Sequence, residues 1–267
     1  MIKVAILGAA GRMGQALVRN SLVIEGVGLA SAVEKAGTPW VGRDAGLPGG
    51  AGETGVRIGD DPRAAIAAAA VAIDFTFHAA VPENAELCAA LGKPIVIGTT
   101  GLDAAESERV RQAAKRIPIV WAPNYSLGVN LLFSLVRKAS ATLGLDYDIE
   151  VVEMHHHFKK DSPSGTALGL AKAAAAGRDQ DLDSVMVHGR HGMVGERPRG
   201  EIGMHALRGG DVVGDHTVIF AADGDRVELT HKASSRDGFA RGALLAARWV
   251  AGRPAGIYDM QDVLGLK

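Results

Sequence analysis

The stretch Lys3-Val-Ala-Ile-Leu7-Gly8-Ala9-Ala10-Gly11-Arg12-Met13-Gly14 decides the first half of the fold. Lys3 to Leu7 is an apolar run that reads as a strand, and the glycines behind it open a tight turn. A helix is predicted from about Arg12 to Ile24. Val27 to Val33 is the next predicted strand, and it ends at Glu34-Lys35. Strand, glycine-rich turn, helix, strand, acid is the order of a dinucleotide-binding unit. The glycines let the backbone turn sharply, approach a pyrophosphate and pack a helix on the sheet. Glu34 lies 20 residues past Gly14, where a carboxylate takes the adenosine ribose hydroxyls. The spacing is GxxGxxG rather than GxGxxG, so the glycines alone are weak evidence; the flanking strand, helix and placed acid carry the reading. Gly8, Ala9, Ala10, Gly11, Arg12, Met13, Gly14, Glu34 and Lys35 are the candidate cofactor residues of this segment. Glu34 would repel the 2′-phosphate of NADP and Lys35 would attract it, so use of both NADH and NADPH is expected.

Outward from there, residues 36–55 are rich in glycine and proline and read as a long surface loop. A regular alternation follows: helix 61–70, strand 71–75, helix 81–91, strand 94–97, helix 103–116, strand 118–121. Alternation with short links implies right-handed crossovers and a parallel sheet. Two loops leave strand ends here, Gly98-Thr99-Thr100-Gly101 and Ala122-Pro123-Asn124-Tyr125. In open α/β sheets ligands bind beyond the carboxyl ends of the strands, so both loops are candidates to cover the ribose and nicotinamide half of a cofactor. Plain turn chemistry accounts for either loop equally well.

After a predicted helix over 129–142 the pattern changes. Strands are predicted at 149–154, 185–188, 202–207, 216–221 and 226–232, with a helix over 166–176. This shift marks a second domain of mostly antiparallel or mixed sheet with helices on one face. A helix over 238–250 and a short last element over 259–264 return to the first domain. The expected fold is therefore α/β: a Rossmann-type parallel-sheet domain (1–126 and 237–267) plus an α+β domain (127–236) for substrate binding and oligomerisation.

The chemistry concentrates in Glu153-Met-His155-His156-His157-Phe-Lys159-Lys-Asp161-Ser-Pro-Ser164-Gly165-Thr166-Ala167. Proton donors at a strand end abut a helix start, whose first N–H groups lack partners and bind anions. That is a place to hold a carboxylate and protonate its bearer. Gly165 and Thr166 offer N–H groups and a hydroxyl, and Ser164 can cap the helix. On an extended strand His155, His157 and Lys159 share one face and His156 points the other way, so adjacent histidines do not converge on a metal ion, and none is expected. A polar edge strand is the bland alternative, but it does not explain why these residues adjoin an anion-binding helix start. Glu153 is either a solvated strand residue or a partner that holds a histidine ring in one tautomer. Arg236, between a strand and a helix, contacts a ligand or makes a surface ion pair.

Composition excludes other classes. The net charge is −1 with 22% charged residues, which gives no electrostatic footprint for nucleic acid or an anionic membrane. No apolar run approaches the ~18 residues of a membrane span. One cysteine, Cys88, precludes a disulfide within the chain, and the N-terminus enters a strand at once; a cytoplasmic protein is expected.

The residues quoted make the chain similar to the dihydrodipicolinate reductase family, whose members reduce 4-hydroxy-tetrahydrodipicolinate in the diaminopimelate route to lysine. The likeness covers essentially the full length. Its most specific part is Glu153-x-His155-His156-x-x-Lys159-x-Asp161-x-Pro163-Ser164-Gly165-Thr166-Ala167, supported by the glycine turn, Gly98-Thr-Thr100, Ala122-Pro-Asn-Tyr125 and His231-Lys-Ala-Ser-Ser-Arg236. The family often has Phe where this chain has Tyr125. The resemblance implies His155 as proton donor with Lys159 as its catalytic companion. It further implies His156, Gly165 and Thr166 as ligands of the substrate carboxylates, a homotetramer assembled through the second domain, and closure of the cofactor domain over the substrate about a hinge near 124–130. Two rivals share the first domain: an aspartate or homoserine dehydrogenase, and a non-catalytic dinucleotide sensor. Neither has reason to carry the His-His and Lys-x-Asp-x-Pro-Ser-Gly-Thr constellation.

Overall fold

Strand β1 (Ile2–Leu7) runs into a glycine turn and α1 (Arg12–Ser21), and β2 (Val27–Val33) lies parallel to β1. The chain continues through β3 (Ile58–Gly59), α2 (Pro62–Ala67), β4 (Val71–Asp74), α3 (Val81–Leu91), β5 (Ile95–Ile97), α4 (Ala104–Ala114) and β6 (Pro118–Trp121). Helix α5 (Leu127–Leu143) leads into β7 (Asp148–His155), α6 (Gly165–Gly177), α7 (Leu182–Val185), β8 (Met186–His188), β9 (Ile202–Arg208), β10 (Gly214–Ala222) and β11 (Asp225–Ala233). The last elements are α8 (Asp237–Val250), β12 (Gly256–Tyr258) and α9 (Met260–Leu264). The computed structural model describes all residues, Met1 to Lys267. They form two units, residues 1–127 with 236–267, and residues 128–235.

The first unit is a seven-stranded, wholly parallel sheet in the order β12-β6-β5-β4-β1-β2-β3. The strands β1, β4, β5 and β6 are short apolar runs buried on both faces, as a helix-covered parallel sheet requires. One face packs α1 and α8 around Leu17, Ala243 and Leu244; the other packs α2, α3 and α4 around Ile66, Ala85 and Val110. Local signals set the helix ends. Asp103 and Glu106 make a reciprocal capping box on α4, and α3 stops at Gly92 in the left-handed region (φ 63°). The strand order reverses direction between β1 and β4, so their carboxyl ends flank a crevice.

Three details differ from the sequence reading. Helix α1 stops at Ser21, and Leu22 to Ile24 continue only as turns onto Arg19 and Asn20. The loop over 36–55 is not purely surface: Asp44 accepts from Gly46 N, Thr54 N and Oγ1 and Gly55 N, and it folds the loop so that Ala45 is fully buried. The short edge strands β3 and β12 were not expected. Two or three residues without alternation carry no periodic signal, and only the neighbouring strand defines them.

The second unit is a five-stranded mixed sheet, order β11-β10-β7-β9-β8. β10 runs antiparallel to β7 and β11, while β9 runs parallel to β7 and β8. Alternation along β7 buries Ile149, Val151 and Glu153; along β10 it buries His216, Val218 and Phe220. That face packs on Leu132 and Val136 of α5 and on Ala167, Leu170, Ala171 and Ala174 of α6. Alanines and glycines in α6 permit close approach: a Cβ on Gly177 would stand 2.4 Å from the Arg137 carbonyl oxygen.

The turn between β1 and α1 is the least forgiving point. Gly8 has φ +75°, and a Cβ on Gly14 would lie 2.1 Å from the Gly8 oxygen and 2.6 Å from that of Ala9. Both obstacles are backbone, so neither can move aside cheaply. Gly14→Ala is expected to lower the stability of the first unit by about 1–3 kcal/mol or more, read as a fall in its urea midpoint. An unchanged midpoint would contradict this packing.

Candidate functional site

At the carboxyl ends of β1, β2 and β4 a cleft of about 870 Å³ brings together Gly8, Gly11, Glu34, Lys35, Arg63, Thr76 and Phe77. Gly8 N and Ala9 N both donate to Val33 O, which sets the turn between β1 and β2. Glu34 is tied to that turn, because Ala10 N donates to its Oε1 at 2.9 Å. The bare main chain at Gly8 and Gly11 fits a dinucleotide pyrophosphate: a Cβ at either position would press to 3.2 Å on Thr76 or on Gly8 O. Arg12, Met13 and Gly14 head the helix behind the turn and are not part of the cleft lining. The Gly98-Thr99-Thr100 loop adjoins the same floor. Thr99 Oγ1 donates to Thr76 O at 3.0 Å, and a Cβ on Gly98 would strike the Phe75 ring.

Ala122-Pro123-Asn124-Tyr125 leaves β6 at the same edge. The Tyr125 ring does not face the cleft. It is 1% exposed, packs edge-on against Phe75, and donates its hydroxyl to Ile97 O (2.8 Å) and Val120 O (3.0 Å). Burial raises the pKa of this phenol well above its ordinary value. The side chain of Tyr125 is thus spent on the core, and its hydroxyl ties the ends of β5 and β6.

Sequence reasoning missed Asp74. It is fully buried at the end of β4 and accepts from Thr76 N (2.8 Å), Thr76 Oγ1 (2.6 Å) and Asn84 Nδ2 (2.8 Å). Burial pushes its carboxyl up, against those hydrogen bonds. Its role is to fix the Phe75-Thr76-Phe77 turn that floors the cleft. The signal was a lone acid closing an apolar strand two residues before a threonine, the pattern of an Asx turn.

In the second unit, β7 ends at His155, and the chain then turns. His156 N donates to Val212 O, and Lys159 N donates to His156 O. The expectation that His155, His157 and Lys159 share a strand face therefore fails: the strand alternation stops at His155. What alternation does place together is Glu153 and His155, whose Nδ1 lies 2.6 Å from Glu153 Oε2. Glu153 is 0% exposed. Burial alone would raise its pKa, but Arg208, His155 and the Ser164 N–H outweigh that and hold it below the usual carboxylate range. Lys159 Nζ pairs with Asp161 at 2.8–2.9 Å, and this pairing holds the Asp161 carboxyl low.

Ser164 caps α6: its Oγ accepts from Ala167 N, and its own N–H goes to Glu153. The first bond within the helix runs from Leu168 N to Ser164 O, so Gly165 and Thr166 head it. Nothing lies within 4 Å of a Cβ built on Gly165. His216, across the sheet from Glu153, places Nε2 3.1 Å from Ser164 Oγ and its ring 5.2 Å from that of His155. Burial first, and then the charge of His155, push its pKa down to about 4. A basic face, a helix start and open space before Gly165 together suit an anion that needs a proton.

The N-terminal model of dihydrodipicolinate reductase matches residues 2–125, and the C-terminal model matches residues 128–264. The chain belongs to the dihydrodipicolinate reductase family. It is 52% identical over 267 residues to 4-hydroxy-tetrahydrodipicolinate reductase of Anaeromyxobacter sp. (strain Fw109-5), covering 100% of this chain and 99% of that one. It is 52% identical over 266 residues to the Thiobacillus denitrificans reductase of the same name, with 100% and 99% coverage. The dipicolinate-bound dihydrodipicolinate reductase from Paenisporosarcina sp. TG-14 superposes with a TM-score of 0.78 at 25% identity, over 98% of each chain. With the family come the reaction class, a nicotinamide-dependent reduction, and its place in diaminopimelate and lysine biosynthesis.

Arg208 and His216, like Asp74, escape the sequence reading. No short-range pattern marks them, because β9 and β10 bring them to Glu153 through strand register alone. The depressed His216 sets a pH dependence. Its folded pKa lies below the free value of 6.5, so its contribution to stability is complete above pH 6.5 and is lost as pH falls through about 4. Nitrogen NMR of the His216 ring at pH 5.5 is expected to show a neutral imidazole. A ring already protonated at that pH would contradict the buried placement.

Proposed function

We propose that this chain reduces 4-hydroxy-tetrahydrodipicolinate to tetrahydrodipicolinate, using NADH or NADPH and one proton and releasing water. The observation that carries the reading is the grouping of His155, Lys159 and the start of α6 around one edge of the second unit. In this reading the first unit binds the dinucleotide and the second the dicarboxylate. The nicotinamide, when bound, supplies a hydride to the conjugated imine.

The chain's own groups do the rest. Gly165 and Thr166, with His156, hold the substrate carboxylates at the helix N-terminus, where the dipole favours an anion. Lys159, steadied by Asp161, faces the negative charge that develops on the ring system as it is reduced. His155 donates from Nε2, since Nδ1 is engaged by Glu153. A proton from a positioned acid contributes typically ~10²–10⁴ in rate. Glu34, held by the Ala10 N–H, takes the adenosine ribose, and Lys35 with Arg63 tolerates a 2′-phosphate, which supports use of either cofactor.

A homotetramer built through the second unit belongs to this reading; β11 and β8 end its sheet with unpaired edges. No helix is long and apolar enough to cross a membrane, and the single cysteine is free and buried, which suits a cytoplasmic setting.

The test separates chemistry from cofactor binding. His155→Gln and Lys159→Ala are each expected to lower kcat by ~10²-fold or more, with NADH affinity by fluorescence nearly unchanged; loss of cofactor affinity in step with kcat would overturn the assignment. Gly165→Ala meets nothing within 4 Å in the protein, so thermal stability is expected to hold while KM for the dicarboxylate rises. An unchanged KM would remove Gly165 from the substrate site.

A further inference from the structure

The reduction needs a proton donor and a cationic neighbour, yet the second unit also buries a complete ion pair beneath them. Glu153 receives four N–H groups: Arg208 Nη1 to Oε2 (2.9 Å), Arg208 Nη2 to Oε1 (2.9 Å), Ser164 N to Oε1 (3.1 Å) and His155 Nδ1 at Oε2 (2.6 Å). That fills the lone-pair sites of one carboxylate. Arg208 lies opposite His155 in the β7–β9 register and also donates to Asp161 O at 2.7 Å. Asp161 in turn holds Lys159 at 2.8 Å.

We propose that Glu153, clamped by Arg208, is a positioning residue that couples the proton donor to the anion-holding start of α6. The inference rests on the reading of His155 as proton donor. Through Oε2, Glu153 fixes the His155 ring with Nδ1–H inward and Nε2 outward, so the proton is given from Nε2. Through Oε1 it holds the main chain of Ser164, so Gly165 and Thr166 keep one distance from that ring. The Arg208 fork sets the carboxylate plane and carries the same registration to Asp161 and Lys159. Around His155 stand Glu153, Arg208 opposite it in the strand register and His216, whose ring lies 5.2 Å away; Asp161 and Lys159 join through Arg208.

The alternative is a buried ion pair that only joins β7, β9 and α6. Such a pair would affect stability and leave the chemistry alone. The two are separated by Glu153→Gln, an isostere that cannot accept all four N–H groups. Measured with NADH, kcat is expected to fall about tenfold or more, and its high-pH limb to shift. KM for the dicarboxylate rises, and NADH affinity holds. In a His155→Gln background the same change is expected to cost kcat much less, because the ring it positions is gone, while the rise in KM through Ser164 persists. A similar loss in both backgrounds with no shift of the pH limb would overturn the coupling.

Should His155→Gln alone keep full turnover, the proton-donor reading itself falls. If it abolishes turnover while Glu153→Gln leaves kcat and its pH limb untouched, only the coupling falls. Wild-type protein gives a check that no misfolded variant can spoil: nitrogen NMR of neutral His155 is expected to show the proton on Nδ1, and a proton on Nε2 would overturn the proposal.

Discussion

A carboxylate removed from water organises the open end of the second unit. Moving such an ion into a protein interior costs several kcal/mol, and only well-aligned donors offset it. Glu153 finds them on three separate elements: Arg208 at the end of β9, Ser164 at the head of α6 and His155 at the end of β7. None of those donors is local to it except His155. The helix start and the ends of β7 and β9 must therefore be in register before the charge is satisfied. The arrangement that pairs the charge is the same arrangement that leaves His155, Lys159 and Gly165 at one edge.

The first unit solves a parallel problem with a different acid. Asp74 ends β4 at the switch point and is fully buried, and its three donors are the next turn and Asn84 of α3. In each unit a buried acid at a strand end pins the loop that would meet the ligand. Asp74 has no cation beside it, so burial raises its pKa; Glu153 has Arg208, and its pKa is lowered. Asp74 is held by neutral donors alone, and Glu153 by a guanidinium as well.

Much of this was legible in the sequence, for physical reasons that can be named. The β1–turn–α1–β2 order could be read because apolar runs, glycines and a placed acid are all local signals, and Gly14 is fixed by a backbone contact only glycine allows. Ser164 could be read as a cap, and its Oγ does take the Ala167 N–H. Other features depend on partners distant in the chain. Arg208 and His216 reach Glu153 through register, and β3 and β12 exist only as neighbours of β2 and β6. The strand periodicity assumed for His157 and Lys159 stopped at His155, where backbone bonds to Gly210 and Val212 turn the chain. Tyr125, read from its motif as a nicotinamide neighbour, proved to spend its side chain on the core.

The most direct measurement is the oxidation of NADH and NADPH at 340 nm, with substrate generated in place by condensing pyruvate with aspartate semialdehyde. Rapid oxidation of either cofactor that depends strictly on the condensation product is expected. Absence of oxidation, with cofactor binding intact by fluorescence, would contradict it.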